Sequence, residues 1–235
     1  VIYAHGGGYA LGSPEVAVPI TERLAAAGLE VISVDYRLAP EHPYPAGLDD
    51  VDAVYRAVTS TDGIRRRGGR ATVIVAGDSA GANLALGVVL RSIVSGTPRP
   101  IGLVLFSPHL DHALTRLEAP VSRHPRDDVD DRSAAWLRAA YIGHRSPADP
   151  GVSPLRADLA GLCPILIQVG SEDIARPHGE ALSRRARAAG VEVTLEVWPG
   201  LWHTWHYHRG LPEADEALAR AARWIGALAP DRGGP

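Results

Sequence analysis

The stretch ATVIVAGDSAGANLALGVVL, residues 71–90, decides the fold. Its first third is β-branched, its last third is rich in Leu and Ala, and Gly77-Asp78-Ser79-Ala80-Gly81 stands between them. A bilayer span needs ~20 apolar residues, and the window has that length. Gly77, Asp78, Ser79, Gly81 and Asn83 interrupt it, however, so it reads as a strand, a sharp turn and a buried helix. In isolation a G-x-S-x-G pentapeptide is most simply a glycine turn. Between a strand and a helix it becomes a candidate nucleophile turn. Glycines beside the serine let a strained backbone pack without side-chain collisions. The hydroxyl then projects at a helix N-terminus, whose positive end favours a developing anion.

Outward from this centre, short β-branched runs alternate with Ala/Leu/Arg stretches of helical period, the pattern of a parallel α/β sheet. The expected strands are VIYA (1–4), VISV (31–34), ATVIVA (71–76), IGLVLF (101–106), PILIQV (164–169) and VEVTLEVW (191–198). Gly28 and Gly190 follow AAA and RAA, where a helix needs a left-handed residue to stop. The last helix should run from about Pro212 to Leu228, with Leu218, Ala222, Ile225 and Leu228 as its apolar stripe. Pro212 suits its first turn, where a missing N–H costs nothing. From Ser107 to Gly161 the rhythm breaks. That stretch is rich in Pro, Asp, His and Arg, holds one amphipathic helix (SAAWLRAAYIG, 133–143), and is expected to be a lid or binding loop.

The chain has 235 residues, enough for one large domain or two small ones, and no composition shift divides it. With 46% apolar and 22% charged residues it can bury a sizeable core. A net charge of −3 argues against a nucleic-acid-binding face. The single cysteine, Cys163, cannot form an intrachain disulfide. The chain lacks methionine and opens directly on an apolar run and a glycine loop, so it reads as a fragment. The absence of a signal peptide therefore says nothing about the parent.

A second motif, His5-Gly6-Gly7-Gly8, follows the first expected strand. Consecutive glycines can aim backbone N–H groups into a cavity, as an oxyanion hole requires. A phosphate cradle is the rival, but no G-x-x-x-x-G-K-[ST] lysine supports it. A serine nucleophile needs a base and an orienting carboxylate, in the order serine, acid, histidine for this kind of sheet. Gly170-Ser171-Glu172-Asp173 follows one late strand and Pro199-Gly200-Leu201-Trp202-His203 the next. Glu172 competes with Asp173 as the acid, and His206 and His208 compete with His203 as the base. Those three histidines lie in a loop without a clear fourth ligand, so no metal is expected, and His206 and His208 read as rim or packing residues. The run Asp127, Asp128, Asp130 and Asp131 lacks the glycine and glutamate of a calcium loop, and reads as solvated surface and helix capping.

Together these residues resemble the hormone-sensitive-lipase-like carboxylesterases of the α/β-hydrolase superfamily. The resemblance covers nearly the whole chain: HGGGYALGSP (5–14), DYRLAPEHPYPAGLDD (35–50), GDSAGANLA (77–85), SEDIA (171–175) and WPGLWH (198–203). DYRLAPEHPYPA is the most specific segment, since general hydrolase chemistry does not demand it. The resemblance implies an α/β-hydrolase fold over residues 1–235, a mostly parallel sheet with helices on both faces. It also implies that the family's first strands and capping helices are missing, with a partial lid at about 107–160. Ser79 would be the nucleophile, His203 the base and Asp173 the acid. Asp173 is preferred to Glu172 because His203 follows thirty residues later, as the family's spacing has it. Gly7, Gly8 and the N–H of Ala80 would form the oxyanion hole. Tyr9, after the oxyanion glycines, and Trp202, beside His203, would line the substrate pocket and shorten it. Ala82, Leu201 and Arg176-Pro177-His178 depart from the family pattern without removing a catalytic group.

The implied reaction is hydrolysis of short-acyl esters, from acetate to hexanoate, through an acyl-enzyme and without a cofactor. The expected partner is a small-molecule ester, with no nucleic acid and no membrane span. A homodimer stays open, and the cytoplasm is the favoured compartment. Two rivals are an amide or N-acetyl hydrolase on the same triad and a non-catalytic ligand receptor. The receptors of this type, as in plant gibberellin perception, have lost the catalytic histidine, whereas His203 is present.

Overall fold

The computed structural model describes residues 1–68, 72–114 and 131–229. All six expected strands form, most of them shorter than their apolar runs and β5 shifted by one residue: β1 (Ile2–Ala4), β2 (Ile32–Val34), β3 (Ile74–Asp78), β4 (Gly102–Phe106), β5 (Ile165–Gly170) and β6 (Val193–Trp198). They make one parallel sheet in the order β2-β1-β3-β4-β5-β6.

Helices connect them: α1 (Val18–Ala26), α2 (Ala46–Thr59), α3 (Thr61–Arg66), α4 (Ser79–Ser95), α5 (Asp131–Ile142), α6 (Arg176–Ala188) and α7 (Pro212–Leu228). Helix α1 leads outward to β2, and the chain then returns past β1 to place β3 on its other side. The winding direction reverses between β1 and β3. In open α/β sheets a ligand crevice opens at that point, beyond the carboxyl ends of the strands. Ala4 of β1 is in register with Gly77 of β3, so the His5–Gly8 loop and the Ser79 turn leave the sheet side by side.

Two-residue periodicity divides the core between the faces. Ile2, Val75, Leu103, Leu105, Ile165 and Ile167 share one cluster with Leu48, Val51 and Tyr55 of α2, Leu84 and Val88 of α4, and Leu182 of α6. Their neighbours Tyr3, Ile74, Ala76, Val104, Phe106 and Leu166 share the other with Ile20 and Leu24 of α1 and Leu218 and Ile225 of α7. Each face is covered, which explains why these strands read as continuous apolar runs. On α7 the fully buried stripe is Ala214, Ala217, Leu218, Ala221 and Ile225, one position away from the expected stripe at Ala222, which is only partly buried. Gly28 and Gly190 adopt the left-handed conformation expected at the helix exits, at φ 87° and 80°.

The β4–β5 connection carries α5 two residues ahead of the expected 133–143 start, and a 3₁₀ turn at Pro154–Arg156. The acidic run at 127–130 lies outside the described residues, as does the side chain of Asp131. No helix among the described residues is long and apolar enough to cross a membrane. The 71–90 window divides into β3 and α4.

Candidate active site

Strand β3 turns into α4 without an intervening residue, and Ser79 takes the strain at φ 49°. A left-handed conformation costs a non-glycine residue roughly 1–2 kcal/mol. The glycines make the turn passable. A Cβ at Gly77 would lie 2.6 Å from the Gly81 carbonyl and 2.7 Å from Ala4 O, and one at Gly81 would overlap the carbonyl oxygens of Ala4 and His5. The hydroxyl thus sits at the start of α4, where first-turn amides such as that of Ala80 have no partner within the helix.

Two loops meet this serine. The turn after β6 brings His203 Nε2 within 2.9 Å of Ser79 Oγ. The turn after β5 brings Asp173 Oδ1 within 2.8 Å of His203 Nδ1. A carboxylate beside Nδ1 fixes the proton there and leaves the Nε2 lone pair facing the serine hydroxyl. Asp173 is fully buried. Burial alone would raise its carboxyl pKa, but the His203 imidazole, the Ser107 hydroxyl and the Ala175 N–H, which donates at 2.7 Å, together hold it below the usual value. Glu172 instead takes a 3.4 Å contact from the Ser171 hydroxyl next to it. His206 is wholly buried, stacked on Trp205 at 3.9 Å with Nε2 3.3 Å from Gln168 Oε1, whereas His208 is exposed. Among the described residues no group of three or more His, Cys, Asp or Glu is placed to hold a metal ion.

The His5–Gly8 loop is held from beneath by Asp78, whose role the sequence reading had missed. One carboxylate oxygen, Oδ1, accepts the Gly6 N–H at 2.9 Å, the Tyr3 hydroxyl at 2.7 Å and the Tyr207 hydroxyl at 2.9 Å. Burial raises the Asp78 carboxyl pKa, and these three donors oppose the rise. Tyr36, from the DYRLAPEHPYPA segment, donates to His5 O at 2.7 Å and stacks on its ring at 4.3 Å. Gly7 O accepts from Ala10 and Leu11 at 3.2 and 2.9 Å, while the Gly7 and Gly8 N–H groups have no acceptor among the described residues. Gly7 and Gly8 stand at φ 122° and 61°, and a Cβ on Gly8 would press on the Leu137 side chain of α5.

Tyr9 is buried, stacks on Tyr141 at 3.6 Å, and lies with its hydroxyl 3.5 Å from His109 O. Trp202 is buried too, in a cluster with Leu201, Trp205, Ala214 and Ala217, its ring edge-on to His208 at 5.1 Å. Ser107, at the end of β4, is a second residue the sequence reading missed. It is fully buried at φ 45° and its Oγ accepts the Thr204 N–H at 3.0 Å. Only the break of rhythm at residue 107 marked its position.

A family model described as the alpha/beta hydrolase fold matches residues 1–207. An acetyl-hydrolase from Streptomyces hygroscopicus is 37% identical over 227 residues, covering 96% of this chain and 74% of that protein. An esterase from Acinetobacter venetianus is 36% identical over 231 residues, covering 97% of this chain and 75% of that protein. Among solved structures, a hormone-sensitive lipase from a metagenome library superposes with a TM-score of 0.88 at 37% identity, over 97% of this chain and 77% of its own. An esterase of the bacterial hormone-sensitive lipase family superposes with a TM-score of 0.86 at 35% identity, over 97% of this chain and 75% of its own.

Proposed function

The chain belongs to the hormone-sensitive-lipase family of alpha/beta hydrolases, and from that premise we propose that it is a carboxylesterase that cleaves short-acyl esters through a serine acyl-enzyme. The observation that carries the reading is the unbroken chain Ser79 Oγ to His203 Nε2 at 2.9 Å and His203 Nδ1 to Asp173 at 2.8 Å. Ser79 attacks the ester carbonyl as its proton passes to His203 Nε2, and the buried Asp173 carboxylate stabilises the imidazolium. The tetrahedral oxyanion is held by the N–H groups of Gly7, Gly8 and Ala80. His203 returns its proton to the departing alcohol. It then activates a water that attacks the acyl carbon, releases the acid and restores Ser79.

Short chains are favoured because the loop after the oxyanion glycines is crowded. Tyr9 is stacked on Tyr141 of α5, and Leu137 of the same helix occupies the space that a Cβ on Gly8 would need. These contacts also support reading the β4–β5 connection as a lid over the site. Trp202 packs into its own cluster, next in the chain to His203. Each methylene that fits contributes only ~0.8 kcal/mol, so a short pocket discriminates steeply once chains outgrow it. The test is hydrolysis of p-nitrophenyl esters from acetate to palmitate, beside Ser79→Ala. The reading expects a maximum between acetate and hexanoate and no turnover by the variant. Faster cleavage of palmitate than butyrate would overturn the short-acyl assignment.

A further inference from the structure

Three histidines outside the relay crowd its flank. His109 donates its main-chain N–H to Ser79 O at 3.1 Å, so its side chain departs beside the nucleophile turn. Its ring centroid lies 4.8 Å from that of His178 and 5.0 Å from that of His112. His178 Nδ1 accepts the Leu110 N–H at 3.3 Å, which places the proton of the neutral ring on Nε2. That Nε2–H has no acceptor among the described residues, and the His109 ring has no partner there beyond its own main chain. Both His112 ring nitrogens are buried without a partner.

Burial favours the neutral form of all three rings. Burial pushes His109 down to about 4 and His112 down to about 2, and it holds His178 well below the usual histidine range. His109 and His178 are also close enough to His203 for its positive charge to oppose theirs. A ring that stays neutral while His203 gains a proton does not make an anion site. A neutral imidazole carries one donor and one bare acceptor. A hydroxyl, which both donates and accepts, is their complement. An alkyl chain laid there would strip water from these nitrogens and replace none of their hydrogen bonds.

We propose that His109 and His178, backed by His112, form a subsite for a hydroxyl group of the substrate beside the reacting carbonyl, so that hydroxylated esters are the preferred class. The proposal rests on the ester-hydrolase reading and adds the chemistry of the group next to the scissile bond.

Matched substrates test it on both sides of the ester. p-Nitrophenyl 3-hydroxybutyrate against p-nitrophenyl butyrate places the hydroxyl on the acyl side. 2-Hydroxyethyl acetate against ethyl acetate, followed by acid release, places it on the alcohol side. A preference of about tenfold in kcat/KM is expected in one pair, the value of one well-made hydrogen bond. His109→Leu and His178→Phe should bring that ratio close to one. His109→Gln, which keeps a donor and an acceptor, should retain most of it. Turnover without preference in either pair, or a preference that survives both apolar variants, overturns the subsite alone and assigns the histidines to packing. A stronger preference for methyl hydrogen succinate than for either hydroxylated ester overturns its neutral character. No turnover of any ester overturns the ester-hydrolase reading and the subsite with it.

Discussion

Thr204 donates its main-chain N–H to Ser107 Oγ at 3.0 Å, and the same hydroxyl faces the Asp173 carboxylate. One buried side chain at the end of β4 thereby ties the turn that carries His203 to the turn that carries Asp173. An accepting oxygen leaves its own hydrogen free to face the Asp173 carboxylate, whose Oδ2 is buried without a hydrogen-bond partner.

Ser107→Gly separates this tie from backbone strain, because glycine adopts the φ of 45° freely. The relieved strain, roughly 1–2 kcal/mol, should about offset the stranded Thr204 N–H, so the variant should fold about as stably as the parent, yet lose about tenfold in kcat with little change in KM. The acid limb of kcat/KM should move to higher pH, because a carboxylate without that donor holds the imidazolium more tightly. An unchanged rate and pH profile would reduce Ser107 to a turn residue.

Asp78 supports the His5–Gly8 loop through a single oxygen. Asp78→Ala strands the Gly6, Tyr3 and Tyr207 donors, each at roughly 1–3 kcal/mol, and should lower both the urea midpoint and kcat. Asp78→Asn keeps a carbonyl oxygen for all three but buries an amide NH2 where Oδ2 has no partner, and should lose roughly 1–3 kcal/mol, less than Asp78→Ala. Equal losses from the two variants would mean that charge, not the hydrogen-bond geometry, is what the loop requires.

His203 and His206 should separate rate from stability. His203→Ala removes the base and should cost about 10⁴-fold or more in kcat while melting almost normally. His206→Ala empties a buried site between Trp205 and Phe106, and should cost about 2–4 kcal/mol of stability while the folded enzyme keeps most of its rate. Comparable rate losses from both would put the base assignment in error.

Acid sensitivity follows from the buried neutral histidines. Burial pushes His112 down to about 2 and His206 down to about 3, and holds His178 well below its usual range. Below pH ~6.5 the unfolded chain binds protons that the folded chain refuses, so each of the three lowers stability as the pH falls through the ordinary histidine range. Asp173 acts lower: its depressed carboxyl contributes stability above the ordinary carboxylate range, lost only as the pH falls through its folded value. Denaturant midpoints should therefore drop sharply from pH 7 to 5. A flat profile across that window would show these rings protonated or exposed in the folded state.

Much of this was legible in the sequence because it is local. Each β-branched run became a strand, and Gly28 and Gly190 ended helices as their positions suggested. The strand ends narrowed the choice to Ser79, to Asp173 or Glu172, and to His203, His206 or His208, and the family resemblance then singled out Asp173 and His203. The strand order could not be read, since it depends on which side of β1 the chain returns. Nor could the parts played by Asp78, Tyr207 and Ser107. Asp78 and Tyr207 are 129 residues apart in the chain, and no periodicity links them. The histidines at 109 and 112, in the loop after β4, and at 178, in the first turn of α6, acquire a shared chemistry only when the rings meet.

The central claim is that Ser79 carries the acyl group. Its most direct measurement is acid-quenched mass spectrometry of the protein during turnover of p-nitrophenyl butyrate, with peptide mapping. The expected result is a burst of nitrophenol and one butyryl group on the peptide containing Ser79, both absent in Ser79→Ala. Turnover with no adduct on that peptide, or undiminished turnover by the variant, would contradict it.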